Sequence, residues 1–354
     1  MSANYSIQSL TLKEKIGQLF VMGFRGEDAS EASEVSTLIT EHKPGGVILF
    51  DKDMAHHQPV HNIKSPVQVK ELTAELQSLS DTALLIGVDQ EGGLISRLKP
   101  DYGFPETISH QKLGEMDNPE VTFNEGMLIA RMLSDSGINL NFAPVVDLAK
   151  NPESSIIAGK ERSFGKSPEK VIRHAGQFIK GHVARRVITC CKHFPGHGSA
   201  KGDTHAGFVD VTTTWDEREL DPYANLISKN LCPMIMTAHI FHSGLDAKYP
   251  STLSRNILTG LLRDTLNFDG VIVSDDMQMR AISDHYTLEE TLKLGLKAGL
   301  DLFCFGNNLL EEQVSLGDAI QIITDLVEKE EINEQRIDES VERILNLKNR
   351  FLVD

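Results

Sequence analysis

Between Lys192 and His205 the chain sets Lys192, His193, His197, Asp203 and His205 among three glycines, directly after the apolar run Val187-Ile188-Thr189-Cys190-Cys191. Such a stretch builds a core poorly. It suits proton transfer, because glycine permits unusual backbone angles and imidazole titrates near neutral pH. Asp203 and His205 stand two apart, so in an extended or turning loop both side chains face one side. The carboxylate then fixes the ring tautomer and raises its basicity. A solvated polar loop is the plain alternative, and His197 reads as a residue that holds the loop. A second centre is Asp275, at the end of Val271-Ile272-Val273, where a carboxylate serves as nucleophile or metal ligand. Ser274, Asp275 and Asp276 also suit the N-cap of a helix starting near Met277. We assign the functional role to Asp275 and a capping or supporting role to Asp276. Lys192 and His193 with Arg97 and Arg162 form a donor-rich lining which, set against Asp89, fits a polyhydroxylated ligand; solvated surface is the alternative.

These residues need a scaffold that delivers them to one place. Short apolar runs alternate with stretches of helical spacing, the mark of β/α units around a parallel sheet. The predicted strands are Leu19–Phe24, Gly46–Phe50, Ala83–Val88, Asn139–Val146, Val187–Cys191, Met234–Ala238, Gly270–Val273 and Leu302–Phe305. Helices are predicted around Val67–Leu76, Val171–Ile179, Leu288–Leu300 and Ile332–Leu347, from apolar residues three and four apart. Polar residues follow the strand ends: Asp51, Asp89-Gln90-Glu91, Asp147, Lys192-His193, His239, Ser274-Asp275-Asp276 and Asn307-Asn308. In a closed (β/α)8 TIM-type barrel they converge on the rim where such folds hold their active sites. A doubly wound sheet is the runner-up, although no G-x-G-x-x-G follows a strand. No Gly/Ser-rich linker interrupts the series, so residues 1–354 are expected to form one domain.

The chain has 35 basic and 51 acidic residues, a net charge of -16, which repels phosphate backbones and anionic membrane surfaces. Nucleic acid and membrane are therefore not expected partners; a small-molecule ligand is, with a monomer favoured. Met1–Lys15 is polar, without an apolar segment of signal-peptide type, and no eighteen apolar residues run together, so a cytoplasmic location is expected. Cys190, Cys191, Cys232 and Cys304 lie in apolar runs without metal-ligand spacing and read as buried thiols. A metal-dependent amidohydrolase-like barrel needs imidazoles that meet on one ion. His193 and His197 are separated by Phe-Pro-Gly and do not form a helical pair, so neither metal nor other cofactor is expected.

The sequence resembles glycoside hydrolase family 3, in particular its single-domain bacterial β-N-acetylglucosaminidases of cell-wall recycling. The resemblance runs from Glu14-Lys15-Ile16-Gly17-Gln18-Leu19 through Pro44–Phe50, Val88–Gly93, Asn141–Asp147 and Glu161–Gly165 to the Lys192–His205 loop, Pro250–Ser254 and Ser274–Met277. It implies a retaining exo-hydrolase of terminal β-linked N-acetylglucosamine, acting on muropeptides or chitooligosaccharides. By the same resemblance Asp275 is the nucleophile, His205 the acid/base held by Asp203, and Asp89, Arg97, Arg162, Lys192 and His193 grip the sugar. Leu94 stands where relatives commonly carry Arg, and Asp53 where Asn is frequent. A β-glucosidase, a phosphorolytic enzyme and a non-catalytic sugar-binding protein are the rival readings.

Overall fold

The structure is a computed structural model describing residues 5–30 and 33–353; the ends of the expected 1–354 domain and the first residues of the Met1–Lys15 stretch lie outside the described residues. Eight parallel strands close into a barrel in the order β1-β10-β9-β7-β5-β4-β3-β2, confirming the expected architecture. They are β1 (Phe20–Gly23), β2 (Gly46–Ile48), β3 (Leu85–Val88), β4 (Leu140–Asn141), β5 (Ile188–Phe194), β7 (Met234–Thr237), β9 (Val271–Asp276) and β10 (Leu302–Phe305). Pairing of Phe20 with Phe303 closes the ring, and Phe20 stacks on Phe303 and Phe305 at centroid distances of 5.6 and 6.2 Å along that seam. Two short strands, β6 (Val209–Asp210) and β8 (Ile240–Phe241), form a separate parallel pair.

The helices are α1 (Leu12–Gly17), α2 (Glu34–His42), α3 (Pro66–Ser78), α4 (His110–Met116), α5 (Pro119–Asp135), α6 (Pro168–Val183), α7 (Asp221–Ser228), α8 (Arg280–Ser283), α9 (Leu288–Ala298), α10 (Leu316–Glu328) and α11 (Glu334–Leu352). Helix α6 shows why such segments fold as they do. Ser167 caps it by accepting from Lys170 N–H, Pro168 sits in the first turn, and Val171, Ala175, Phe178 and Ile179 form its buried stripe. The turn from β7 to β9 uses a π-helical segment, Asn256–Thr265, instead of a regular α-helix.

Most strand ends fall within two residues of expectation, and three differ by more. The fourth strand ends at Asn141, because Pro144 has no N–H to give to the ladder; pairing resumes as a single bridge between Val145 and Lys192. The fifth runs on to Phe194 and the strand carrying Asp275 runs on to Asp276, so Lys192, His193 and Asp275 lie inside strands. Finally, no helix starts near Met277. Helix α8 begins at Arg280 behind Met279, which gives no side-chain cap. Asp276 instead accepts the N–H groups of Gln278 at 3.0 Å and Gly306 at 3.1 Å, a supporting role.

Candidate active site

At the strand C-termini a cavity of about 310 Å³ opens. All the expected residues reach it. Asp89, Arg97, Arg162, Lys192 and His193 line it together with Asp203, His205 and Asp275. Successive strand residues normally point to opposite faces. Lys192 and His193 both serve the site because the β5/β7 register shifts between Cys191 and Phe194, which re-aims side chains as a bulge does.

The cationic lining is bound together by carboxylates. Arg162 donates Nε and Nη2 to the two oxygens of Glu91 at 2.8 and 2.7 Å. Lys192, with 1% of its surface exposed, lies 2.8 Å from Glu91 and 2.7 Å from Asp89. Burial opposes ionisation of Glu91 and Asp89, but Arg162 and Lys192 outweigh it for Glu91, and Lys192 and Arg97 for Asp89; both carboxyls are held below their usual range. Arg97 spans Asp51 at 3.6 Å and Asp89 at 3.5 Å. The cradle is therefore fixed before any ligand arrives, with little reorganisation left to make.

His193 Nδ1 donates to Asp147 Oδ2 at 2.7 Å, which leaves Nε2 to accept from Arg162 Nη2 at 3.1 Å. The ring is thus held as one tautomer. Asp147 also accepts the His197 backbone N–H at 2.8 Å, so it ties the strand end to the loop. Burial pulls the His197 imidazole down to about 4 and keeps it neutral.

Asp275 and Asp276 are adjacent carboxylates in different electrostatic settings. Burial disfavours the Asp275 anion, but His193, His239, His205 and the Asp276 N–H outweigh burial and hold the carboxyl at about 2. Burial pushes Asp276 up to about 6. Divergent neighbours of this kind mark a division of labour. His239 joins the two: its Nε2–H donates to the Asp276 carbonyl at 3.0 Å while Nδ1 accepts from Thr252 at 2.8 Å.

His205 is the exposed member, with half of its side chain open (51%). Its Nδ1 and its backbone N–H both donate to Asp203 Oδ1 at 2.8 Å. This is the pairing expected from the two-residue spacing, and it leaves Nε2 available. Burial raises the Asp203 carboxyl, but its bonds and charge contact with His205 bring it below the usual range. Glu91 and Asp147 were placed on the rim from sequence without a role, and Lys160, which also lines the cavity, was not singled out. The first two follow strands, a signal that marks the rim but not the partner. Among the described residues, no group of three His, Cys, Asp or Glu is arranged to hold a metal ion.

The chain is thus a (β/α)8 barrel with a preorganised polar pocket on its carboxy-terminal rim. Residues 11–347 match the glycosyl hydrolase family 3 N-terminal domain, and the chain belongs to that family. It is 29% identical over 378 residues to "Beta-hexosaminidase A" of Pseudoalteromonas piscicida, covering 97% of this chain and 62% of that one. To a Pseudomonas aeruginosa beta-hexosaminidase it is 32% identical over 288 residues, covering 80% and 81% respectively. A solved family 3 beta-N-acetylglucosaminidase from Paenibacillus sp. str. FPU-7 superposes with a TM-score of 0.87 at 35% identity, covering 96% of this chain and 62% of that one. The Beutenbergia cavernae beta-N-acetylhexosaminidase superposes at 0.85 with 26% identity, covering 96% and 99%. The chain therefore spans under two thirds of some relatives and nearly all of others.

Proposed function

We propose that this protein is a retaining exo-β-N-acetylglucosaminidase that removes terminal β-linked N-acetylglucosamine, with peptidoglycan (muropeptide) fragments as its substrates. The observation that carries the mechanism is that an ionised Asp275 and an Asp203-steadied His205 face one cavity beside a preformed donor cradle. In the first step an Asp275 oxygen attacks the anomeric carbon as the glycosidic C–O bond breaks, and His205 gives its proton to the departing oxygen. In the second, His205 takes a proton from water, which attacks the same carbon and releases Asp275. Two inversions return the original configuration. Retaining enzymes commonly use a carboxylic acid for the proton; here an imidazole fills that place. Lys192, Arg162, His193, Asp89 and Arg97 grip the sugar hydroxyls. The names of the related hexosaminidases support the N-acetylglucosamine reading.

The test is hydrolysis of an aryl N-acetyl-β-glucosaminide by wild type and Asp275→Ala, beside the matching β-glucoside and with or without phosphate. The expected result is strong preference for the acetamido sugar, no stimulation by phosphate, and loss of about 10³-fold or more in kcat for the variant, the scale of removing a covalent nucleophile. Equal rates for wild type and variant would remove Asp275 from the mechanism. A sugar-1-phosphate product would make the enzyme a phosphorylase. A muropeptide disaccharide cleaved no faster than diacetylchitobiose would shift the substrate from cell wall to chitin fragments.

A further inference from the structure

Glu219 lies behind the loop, 1% exposed, and has no part in the steps above. It belongs to the segment that returns from the loop toward α7. Its Oε2 accepts the Gly198 N–H at 2.9 Å. Gly196 has φ of +120°, and a Cβ there would stand 2.5 Å from Glu219 Cβ and 2.6 Å from Oε2. Only glycine both adopts that angle readily and admits the carboxylate so closely. Trp215 adds a second tie, its Nε1–H donating to the Pro195 carbonyl at 3.2 Å. A third comes from Asn151, whose N–H donates to Gly198 O and whose Nδ2 donates to Ala200 O, both at 3.1 Å. Ala200 is itself buried with Val209, Val211, Ala238 and Ile240 against Trp215. The loop therefore has two parts. Residues 195–200 form a root locked to the 211–219 segment, and Lys201–Gly207 form an arm that bears Asp203 and His205. The arm re-enters at Val209 in the β6/β8 pair and meets the barrel where Ala281 N–H donates to Thr204 O at 3.2 Å.

We infer that Glu219 is a positioning residue for the acid/base step: by clamping Gly196–Gly198 it fixes where the arm begins, and so where His205 stands against the departing oxygen. This rests on the role given to His205 above. A group acting through His205 leaves a signature. Protonation of the departing oxygen is essential for a sugar alkoxide and nearly dispensable for 2,4-dinitrophenolate, which leaves as a stable anion. Lost positioning therefore falls on diacetylchitobiose and spares the dinitrophenyl N-acetylglucosaminide, whereas lost folding or sugar binding falls on both.

The experiment measures kcat/KM on both substrates for wild type, His205→Ala, Glu219→Ala, Glu219→Asp and Glu219→Gln, with inhibition by free N-acetylglucosamine as the binding readout. For His205→Ala the loss on the disaccharide should exceed that on the aryl substrate by about 100-fold or more, the usual worth of a general acid. For Glu219→Ala the excess should be about tenfold, since its effect is indirect and a displaced acid retains part of its action. Glu219→Asp, a milder change if the alanine variant does not fold, should show the same bias at about threefold. Glu219→Gln keeps an oxygen for Gly198 N–H and should stay within about threefold of wild type on both substrates. Inhibition by N-acetylglucosamine should not change. If His205→Ala shows the bias while Glu219→Ala and Glu219→Asp lose equally on both substrates or lose nothing, the inference about Glu219 falls and the mechanism stands. If His205→Ala itself shows no bias, the acid/base role falls and takes the inference with it.

Discussion

Replacing Glu91 by Gln tests the electrostatics of the sugar cradle. Glu91 is 1% exposed and answers two buried cations, Arg162 through two hydrogen bonds of 2.8 and 2.7 Å and Lys192 at 2.8 Å. Glutamine preserves the volume and one acceptor oxygen but removes the charge the cations share. Breaking a buried pair from one side costs about 3–5 kcal/mol, because the other charge is left uncompensated. Lys192 keeps Asp89 at 2.7 Å, so the lower end applies, and the expected loss of folding stability at pH 7 is about 3 kcal/mol. Its pH dependence has a definite sign. Burial raises the Glu91 carboxyl, but Arg162 and Lys192 outweigh burial and depress it well below its ordinary 4.5. A depressed acid stabilises fully above the unfolded value, and that contribution is lost as pH falls toward the folded value. The gap between wild type and variant should thus be constant from about pH 5.5 to 8 and shrink progressively below about 4.5. Urea unfolding followed by the single tryptophan, Trp215, measures it. The exposed Glu217→Gln is a control expected to change stability by under about 0.5 kcal/mol. A loss below about 1 kcal/mol at pH 7, or a gap that does not narrow in acid, refutes the claim that Glu91 holds the cradle by charge.

Two further predictions concern buried ionisable groups. Asp276→Asn keeps the acceptor for Gln278 and Gly306 N–H, while the carboxyl it replaces is raised by burial from 3.8 to about 6. A raised acid loses stability as pH rises through that window, so the asparagine variant should overtake wild type above about pH 6 by up to roughly 3 kcal/mol; a less stable variant at pH 8 would contradict this. Lys348, 0% exposed with Gln18 Oε1 at 2.7 Å, is drawn by burial from 10.5 down to about 7. Between those values the unfolded chain holds a proton that the folded chain lacks, so this group makes stability rise with pH, by up to roughly 5 kcal/mol. Lys348→Met should be the more stable protein at pH 7, with the advantage fading toward pH 10; a pH-independent difference would show that the amine stays charged when buried.

The barrel was legible because most strands hold an apolar run and several crossovers carry helical spacing, as in Val171–Ile179 within α6. The boundaries at the rim were less so. Lys192, His193 and Ser274–Asp276 continue their strands although polar, since ladder hydrogen bonds are indifferent to side-chain polarity. Pro144 could have warned that the fourth strand stops early. The β6/β8 pair, two residues per strand, is too short for any periodicity. Within the site, Asp203 and His205 were readable because their contact is local. Glu91–Arg162 and Asp147–His193 join residues 71 and 46 positions apart, and nothing in either local stretch names its partner. Glu219 was invisible for the same reason; Gly196, whose φ and lack of Cβ make room for it, carries the nearest trace.

In the proposed mechanism the Asp275 carboxylate captures the anomeric carbon. Incubation with a 5-fluoro-N-acetylglucosaminyl fluoride, followed by peptide mapping by mass spectrometry and a crystal structure of the trapped species, tests it directly. The expected product is one sugar covalently bound through an Asp275 oxygen, seated between Lys192, Arg162 and Asp89. A label on another residue, or turnover without any covalent intermediate and with inversion at the anomeric carbon, would contradict it.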